Sequence, residues 1–508
     1  MKTPIHSDPL YTTPIRFGTF EIPPLDLLEH ILATGGTGSG KTRSFLLPLM
    51  ESVLERFGNE SSSRAGMFLI DAKGDMGDMG AECVRRAGRT DTLHILGPGG
   101  NCWFPLFSQF AGDASRVANF LFEILEDRSG QGGGENESFW EENARRLLRA
   151  GAICAKARHG LDLGGLDGIS AGINAIMDAH SPSDDEEPDE DESSCDKMRT
   201  ILEEGFVQGR IGRRELEDTL DYVRRDVVGG NPRTWATISN MTRNYLAQFS
   251  MPALREIFEE TPGKKRVGPE DVIDEGLLLL VSLSPVIYGQ AAAPFRVAIK
   301  KAVFDRILQR DHLVTLEEGT PRPINRHRPI LAVMDEFHTT LSARGTSCDA
   351  FFLDRAREFR CMCVLATQGI SAISSVIPNT GLRNHLLNNC RTKFFFANDC
   401  PETIEYFEYI GGLEDRMVKT MTFQPAPAPP RFHLPNHEFA APRPLILTSA
   451  GLAQDRCPRF RGSDLGSLRN GTALVVKKGR ELVHYEKDPA DYAIDHSQHE
   501  DRSPLPPN

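Results

Sequence analysis

The run Gly35-Gly36-Thr37-Gly38-Ser39-Gly40-Lys41-Thr42 constrains this chain more than any other stretch of its 508 residues. It follows an apolar, strand-like segment, His30 to Thr34, and precedes a segment of helical period from Arg43 to Arg56. A strand, a glycine loop of the form G-x-x-x-x-G-K-[ST] and a helix, in that order, make a P-loop. The chemistry accounts for each residue type. Glycines let successive backbone N–H groups curl around phosphate oxygens, and the helix behind them directs its positive end at the same anion. Lys41 is then placed to reach the β- and γ-phosphates, and the Thr42 hydroxyl to ligate a metal. The expected cofactors are ATP and Mg2+.

Such a loop needs a second strand ending in an acid that holds the metal through water. Pro329-Ile330-Leu331-Ala332-Val333-Met334-Asp335-Glu336 supplies one. Asp335 is the expected magnesium partner, and Glu336 the carboxylate that polarises the attacking water. Two acids in tandem point to hydrolysis, since binding alone needs only the first. Val364-Leu365-Ala366-Thr367-Gln368 adds a polar amide at a strand end, where Gln368 could sense the terminal phosphate. Ring ATPases also take a cation from a neighbouring subunit. Arg355, Arg357, Arg360 and Arg391 are the candidates, against the alternative of a surface helix laced with ion pairs. Asp71-Ala72-Lys73-Gly74-Asp75 ends another strand, either as an ordinary polar turn or as part of the ligand edge of an open α/β sheet.

Alternation of strand and helix through residue 110 predicts a mainly parallel, doubly wound sheet of the RecA-like P-loop class. Strand signals resume at Leu277 to Leu283, Ile330 to Met334, Met362 to Ala366 and Lys393 to Phe396. Between them, residues 111–265 read as an all-α insertion. The expected division is 1–110 and 266–440 for the two parts of the nucleotide-binding domain. A segment at 441–487 carries a β-hairpin joined by Lys477-Lys478-Gly479-Arg480, and 488–508 reads as a disordered tail. Phe17 to Ile22 reads as an edge strand, and Gln424 to Pro430 as a Pro-rich connector.

Net charge is −13, but Asp184 to Glu192 carries eight of the negatives in a loop expected to be disordered (about 181–195). The rest is only mildly acidic, which argues against a general nucleic-acid-coating surface. Any DNA contact would come from local clusters such as Lys264-Lys265-Arg266, Arg224-Arg225 and Lys300-Lys301. The ten cysteines show no zinc-type spacing and read as reduced thiols. No segment is long and apolar enough to span a bilayer.

The motifs together resemble the type IV secretion coupling proteins, the conjugative DNA-transfer ATPases of the hexameric DNA-translocase clan. The resemblance rests on Leu27 to Thr34 leading into Gly35 to Thr42 and on Leu47-Pro48-Leu49. It rests also on Ile70 to Asp75, Phe104-Pro105-Leu106, Phe139-Trp140 with Ala144 and Leu148, Asp335-Glu336-Phe337, Ala366-Thr367-Gln368, and Asn398-Asp399 with Ile410-Gly411. It implies a ring of six subunits, ATP at their interfaces, single-stranded DNA in a central channel, and a relaxase or secretion-channel partner. It also makes Arg357 the best placed arginine finger. The usual members begin with a transmembrane region. Here the loop starts at residue 35, so the expectation is a chain that does not insert in a membrane itself, cytoplasmic and recruited to the inner membrane through a partner. The alternative to a DNA translocase is an ATP-binding adaptor that recruits protein or nucleoprotein substrates to a secretion or defence complex. A packaging or nuclease-associated ATPase ranks below both.

Overall fold

In the computed structural model of the chain, the described residues are 5–58, 64–74, 76–110, 112–126, 137–179, 194–247, 252–311, 313–315, 321–323, 327–343, 348–425, 445–477 and 481–488. The acidic run, residues 426–430 of the Pro-rich connector, residues 478–480 of the hairpin turn and the C-terminal tail lie outside them. Nine strands build the central sheet: β1 Ile31–Thr34, β2 Gly66–Asp71, β3 Leu93–Leu96, β4 Leu278–Ser282, β5 Ile330–Met334, β6 Cys361–Thr367, β7 Thr392–Phe396, β8 Thr472–Lys477 and β9 Glu481–Glu486. Their order is β9-β8-β7-β1-β6-β5-β2-β4-β3. The seven from β7 to β3 are parallel, and β8 and β9 add antiparallel at one edge.

The inner strands are apolar on both faces, as a sheet covered by helices on both sides requires. Every residue of β1, β2, β5, β6 and β7 is buried. Their period of two divides the core. Ile31, Ala33, Met67, Leu69, Leu331 and Val333 pack on the face that carries helix Leu47–Arg56. Leu32, Phe68, Ile70, Ala332 and Met334 pack on the other, in one core with the helical block. That block includes Ala114–Glu126, Glu137–His159, Gly165–Asp178, Ser194–Val207, Arg213–Tyr222 and Pro232–Leu246. It leaves the sheet after β3 and returns before β4. At its root, Cys102–Trp103 pairs in parallel with Lys265–Arg266.

Several expectations change. Phe17 to Ile22 is not one edge strand: Ile15–Phe17 and Phe20–Ile22 form a separate hairpin, turned at Gly18 with φ 54°. Lys300 and Lys301 cannot contact DNA, because both side chains are 0% exposed. Lys300 Nζ lies 2.5 Å from Asp349 Oδ2, and Lys301 Nζ 2.9 Å from Glu123 Oε2. A buried lysine keeps its charge only when paired this way. Arg224 and Arg225 are exposed but share Asp221. Finally, Leu413–Pro425 and Leu445–Pro458 pair as a long antiparallel ribbon across residue 440, where a boundary is expected.

Candidate active site

The glycine loop leaves β1 at the carboxyl edge of the sheet. Gly38 and Gly40 have φ of 78° and 94°. A Cβ on Gly40 would lie 2.5 Å from Asn470 Oδ1 and 2.8 Å from Gly471 N, so the loop closes here only with glycine. Three main-chain bonds pin it. Gly35 N–H donates to Thr367 O, Gly36 N–H to Ala397 O at 2.8 Å, and Gly471 N–H to Ser39 O at 3.1 Å.

Behind the loop, Lys41–Leu46 is a π-helical turn that runs into helix Leu47–Arg56. Pro48 has no N–H to offer the carbonyl of Ser44 one turn back. The buried Tyr485 hydroxyl of β9 donates to that carbonyl instead. The edge hairpin therefore completes the helix that carries the loop.

Lys41 is buried, and its ammonium donates to Gly35 O at 2.5 Å and Gly36 O at 3.1 Å. Burial holds its pKa below the ordinary lysine value, against the pull of Glu336 and Asp335. The Thr42 hydroxyl faces Asp335 Oδ2 at 3.4 Å. Asp335 ends β5, and its N–H donates to Ile70 O of β2 at 3.1 Å. Its carboxyl is pushed up to about 6, first by burial and then by the charge of Glu336.

Glu336 takes a left-handed backbone, φ 49° and ψ 48°, a region that non-glycine residues seldom occupy. Its Oε1 lies 2.5 Å from Lys73 Nζ and 3.4 Å from Gln368 Nε2. Burial raises the Glu336 pKa, but the hydrogen bond and charge of Lys73 outweigh it and leave the carboxyl below its ordinary value. The Gln368 carbonyl accepts from Asn398 Nδ2 at 2.7 Å, which fixes the turn after β6.

The structure thus brings Gly35 to Thr42, Asp335, Glu336 and Gln368 to one edge. Arg357 is elsewhere. It follows helix Asp349–Ala356 and precedes β6, at the amino edge of the sheet, where Nη1 meets Glu29 Oε1 at 2.9 Å. It does not belong to the site of its own chain. Arg360 is occupied by His327 O and lies over the Tyr11 ring. Among the described residues no three His, Cys, Asp or Glu side chains converge as a metal site of their own. Thr42 and Asp335 fit a cation that takes its remaining oxygens from phosphate and water, which is the habit of magnesium.

Two neighbours of Glu336 escaped the sequence reading. His338 Nδ1 lies 3.5 Å from Glu336 Oε2 and 3.3 Å from Thr367 Oγ1. Lys73 stood in a turn already singled out, but nothing in its spacing tied it to Glu336.

No family model matches the sequence, and no curated protein matches it. Solved structures do. The plasmid coupling protein TrwB in complex with the ATP analogue ADPNP is similar over 94% of this chain and 89% of that one, at 15% identity and a TM-score of 0.59. TrwB with ADP and Mg2+ gives the same coverage and TM-score at 14% identity. TrwB with the GTP analogue GDPNP gives a TM-score of 0.58 at 15% identity. The chain has the fold of a conjugative coupling protein. In this coupling-protein fold the sheet is a RecA-like P-loop core, and the helices between β3 and β4 extend it on one face.

Proposed function

We propose that the chain is an ATP-hydrolysing motor that moves DNA, single-stranded, through a ring of six subunits in conjugation-like transfer. The observation that carries this reading is the convergence of Lys41, Thr42, Asp335, Glu336 and Gln368 on one sheet edge within a coupling-protein fold. The nucleotide assignment draws support from the TrwB structures, which hold ADPNP, GDPNP, or ADP with Mg2+.

In this reading the amides of Gly35 to Gly40 cradle phosphates and Lys41 turns its ammonium to them. Thr42 and Asp335 hold magnesium, whose charge offsets that of the phosphate oxygens. Glu336 accepts the proton of the attacking water, and Gln368 beside it reads the terminal phosphate. Arg357 serves a neighbour's site. Residues 1–110 and 266–440 form the motor, with β8 and β9 of the segment 441–487 added at the edge of its sheet, and 111–265 the all-α domain that meets the relaxase or channel partner. No helix among the described residues is long and apolar enough to cross a membrane. The proposed place of work is the cytoplasm, with recruitment to the inner membrane by a partner.

A second reading, the adaptor that binds ATP to assemble rather than to transport, gains from the burial of Lys300 and Lys301 and the pairing of Arg224 and Arg225. Hydrolysis measured with and without single-stranded DNA separates the two. A strong rise with DNA, reduced to background in Lys41→Ala, supports the motor. A flat response with tight protein binding supports the adaptor, and ATP left intact by the wild type overturns the enzymatic reading.

A further inference from the structure

The Asp71–Gly74 turn is built to deliver one side chain. Asp71, fully buried at the end of β2, accepts hydrogen bonds from three main-chain amides: Lys73 N at 3.1 Å, Gly74 N at 2.8 Å and Met76 N at 2.9 Å. Gly74 closes the turn at φ 86°. Asp71 therefore holds the loop. Because β2 and β5 are adjacent and in parallel register, Ile70 against Met334, the turn lies beside Asp335 and Glu336. Lys73 crosses that short gap to Glu336 Oε1 at 2.5 Å.

The two carboxylate oxygens of Glu336 are thereby made unequal. Oε1 is engaged by Lys73 and by the Gln368 amide. Oε2 is buried and accepts no hydrogen bond among the described residues, with His338 Nδ1 standing 3.5 Å from it. A base acts best when one oxygen is fixed and the other is left to take the proton, since aim is then set before the reaction begins. Glu336 needs such a hold more than most residues. Its left-handed backbone is a sparsely populated conformation, which persists only where surrounding groups impose it. Lys73 is the charged group that reaches the Glu336 carboxylate from outside the β5 turn.

We infer that Lys73 is the positioning residue of the hydrolytic base: it fixes Glu336 Oε1 so that Oε2 faces its task. This rests on the reading of Glu336 as the base that accepts the proton of water. The role differs from that of Lys41, which serves the phosphates. Lys73 acts through Glu336, so its worth should vanish when Glu336 can no longer act.

The test is steady-state hydrolysis by the full chain in four variants: Lys73→Met, Lys73→Arg, Glu336→Gln and Lys73→Met/Glu336→Gln. Lys73→Met is expected to lower kcat by about 10- to 100-fold, the usual cost of losing a supporting partner, with KM for ATP little changed. Lys73→Arg, which keeps the charge and reach, should recover part of the loss. Glu336→Gln should bind ATP and hydrolyse it slowly, and the double variant should be no worse than Glu336→Gln alone. A Lys73→Met enzyme with normal or raised kcat overturns the inference while leaving the base assignment intact. Losses that multiply in the double variant, or a rise confined to KM, place Lys73 on the phosphates and overturn it too. If Glu336→Gln itself turns over normally, Glu336 is not the base, and the role given to Lys73 falls with it.

Discussion

The two edges of the central sheet are held together by different chemistry. At the amino edge, buried arginines staple strand starts through neutral main-chain carbonyls. Arg89 Nη2 donates to Ala65 O and Gly276 O, just ahead of β2 and β4. Arg310 donates to Phe359 O and Arg328 O, ahead of β6 and β5, and Arg328 to Arg64 O and Asp274 O. At the carboxyl edge, charges face one another: Lys73 pairs with Glu336 side chain to side chain, and Lys41, hydrogen-bonded to Gly35 O and Gly36 O, feels the charges of Glu336 and Asp335. A planar guanidinium bonded to several fixed carbonyls has no alternative partner, whereas an ammonium is a point charge that serves any anion in reach. One edge is a clamp. The other is a set of charges able to exchange partners when a polyanion arrives.

The sharpest challenge to this division is Arg357, which sits at the clamped edge yet carries a proposed catalytic duty. Its pairing with Glu29 is half exposed and joins side chain to side chain, unlike the buried staples around it. Arg357→Ala should bind ATP normally and lose turnover by on the order of 10³-fold, the typical loss for such a finger. Turnover per subunit should climb with protein concentration, and mixing Arg357→Ala with Lys41→Ala subunits should restore part of it. A mixture that assembles but stays inactive, or monomers that hydrolyse at full rate, would return Arg357 to the clamp.

Arg310→Met tests the clamp itself. Two buried carbonyls lose their donor, at about 1–3 kcal/mol each. The melting temperature should fall while kcat and KM of the folded protein stay within about twofold. A drop in kcat without a drop in stability would show that the amino edge also sets the chemistry.

The smallest effect belongs to His30, which precedes β1. Its ring is buried, with Nε2 bonded to Leu353 O and Nδ1 accepting from Cys363 N. Burial lowers its pKa to about 4. The unfolded chain, with its histidine near the ordinary value of about 6.5, binds the proton more readily. The contribution is therefore complete above that value and is lost as pH falls from about 6.5 toward 4, reaching about 2 kcal/mol by pH 5. Thermal melts at pH 7 and pH 5 should differ less in His30→Gln than in the wild type. An equal difference would remove His30 from the pH response.

What could be read from the sequence was what is contiguous. The glycine loop, the strand ending in Asp335-Glu336 and the strand ending in Gln368 each carry their meaning within eight residues or fewer, and the structure places them together. What could not be read depends on which strands become neighbours. Lys73 meets Glu336 only because β2 lies against β5, and no spacing along the chain encodes that adjacency. Lys300-Lys301 looked like surface charge because the acids that bury it, Asp349 and Glu123, come from two distant helices. Helix Gly165–Asp178 lies in the block read as all-α although it is rich in glycine. Gly168 and Gly172 are there for close approach, since a Cβ on either would lie 2.0–2.2 Å from a neighbouring carbonyl oxygen. The ribbon of Leu413–Pro425 and Leu445–Pro458 was masked by the Pro-rich stretch at its end.

The root of the helical block has a consequence for how such a chain could diversify. The block departs and returns through two short strands lying side by side, Cys102–Trp103 and Lys265–Arg266, bonded through Lys265 N to Asn101 O and Val267 N to Trp103 O. Entry and exit sit at one point beside the last strands of the sheet, far in strand order from β1 and β6. Whatever is spliced in at that point needs two adjacent ends to match and an apolar face to cover Leu32, Phe68, Ile70, Ala332 and Met334. An altered or foreign helical unit can be accepted there without breaking a single hydrogen bond between the strands that frame the nucleotide. The helical block and the sheet are thus joined through a root of two paired strands, each two residues long.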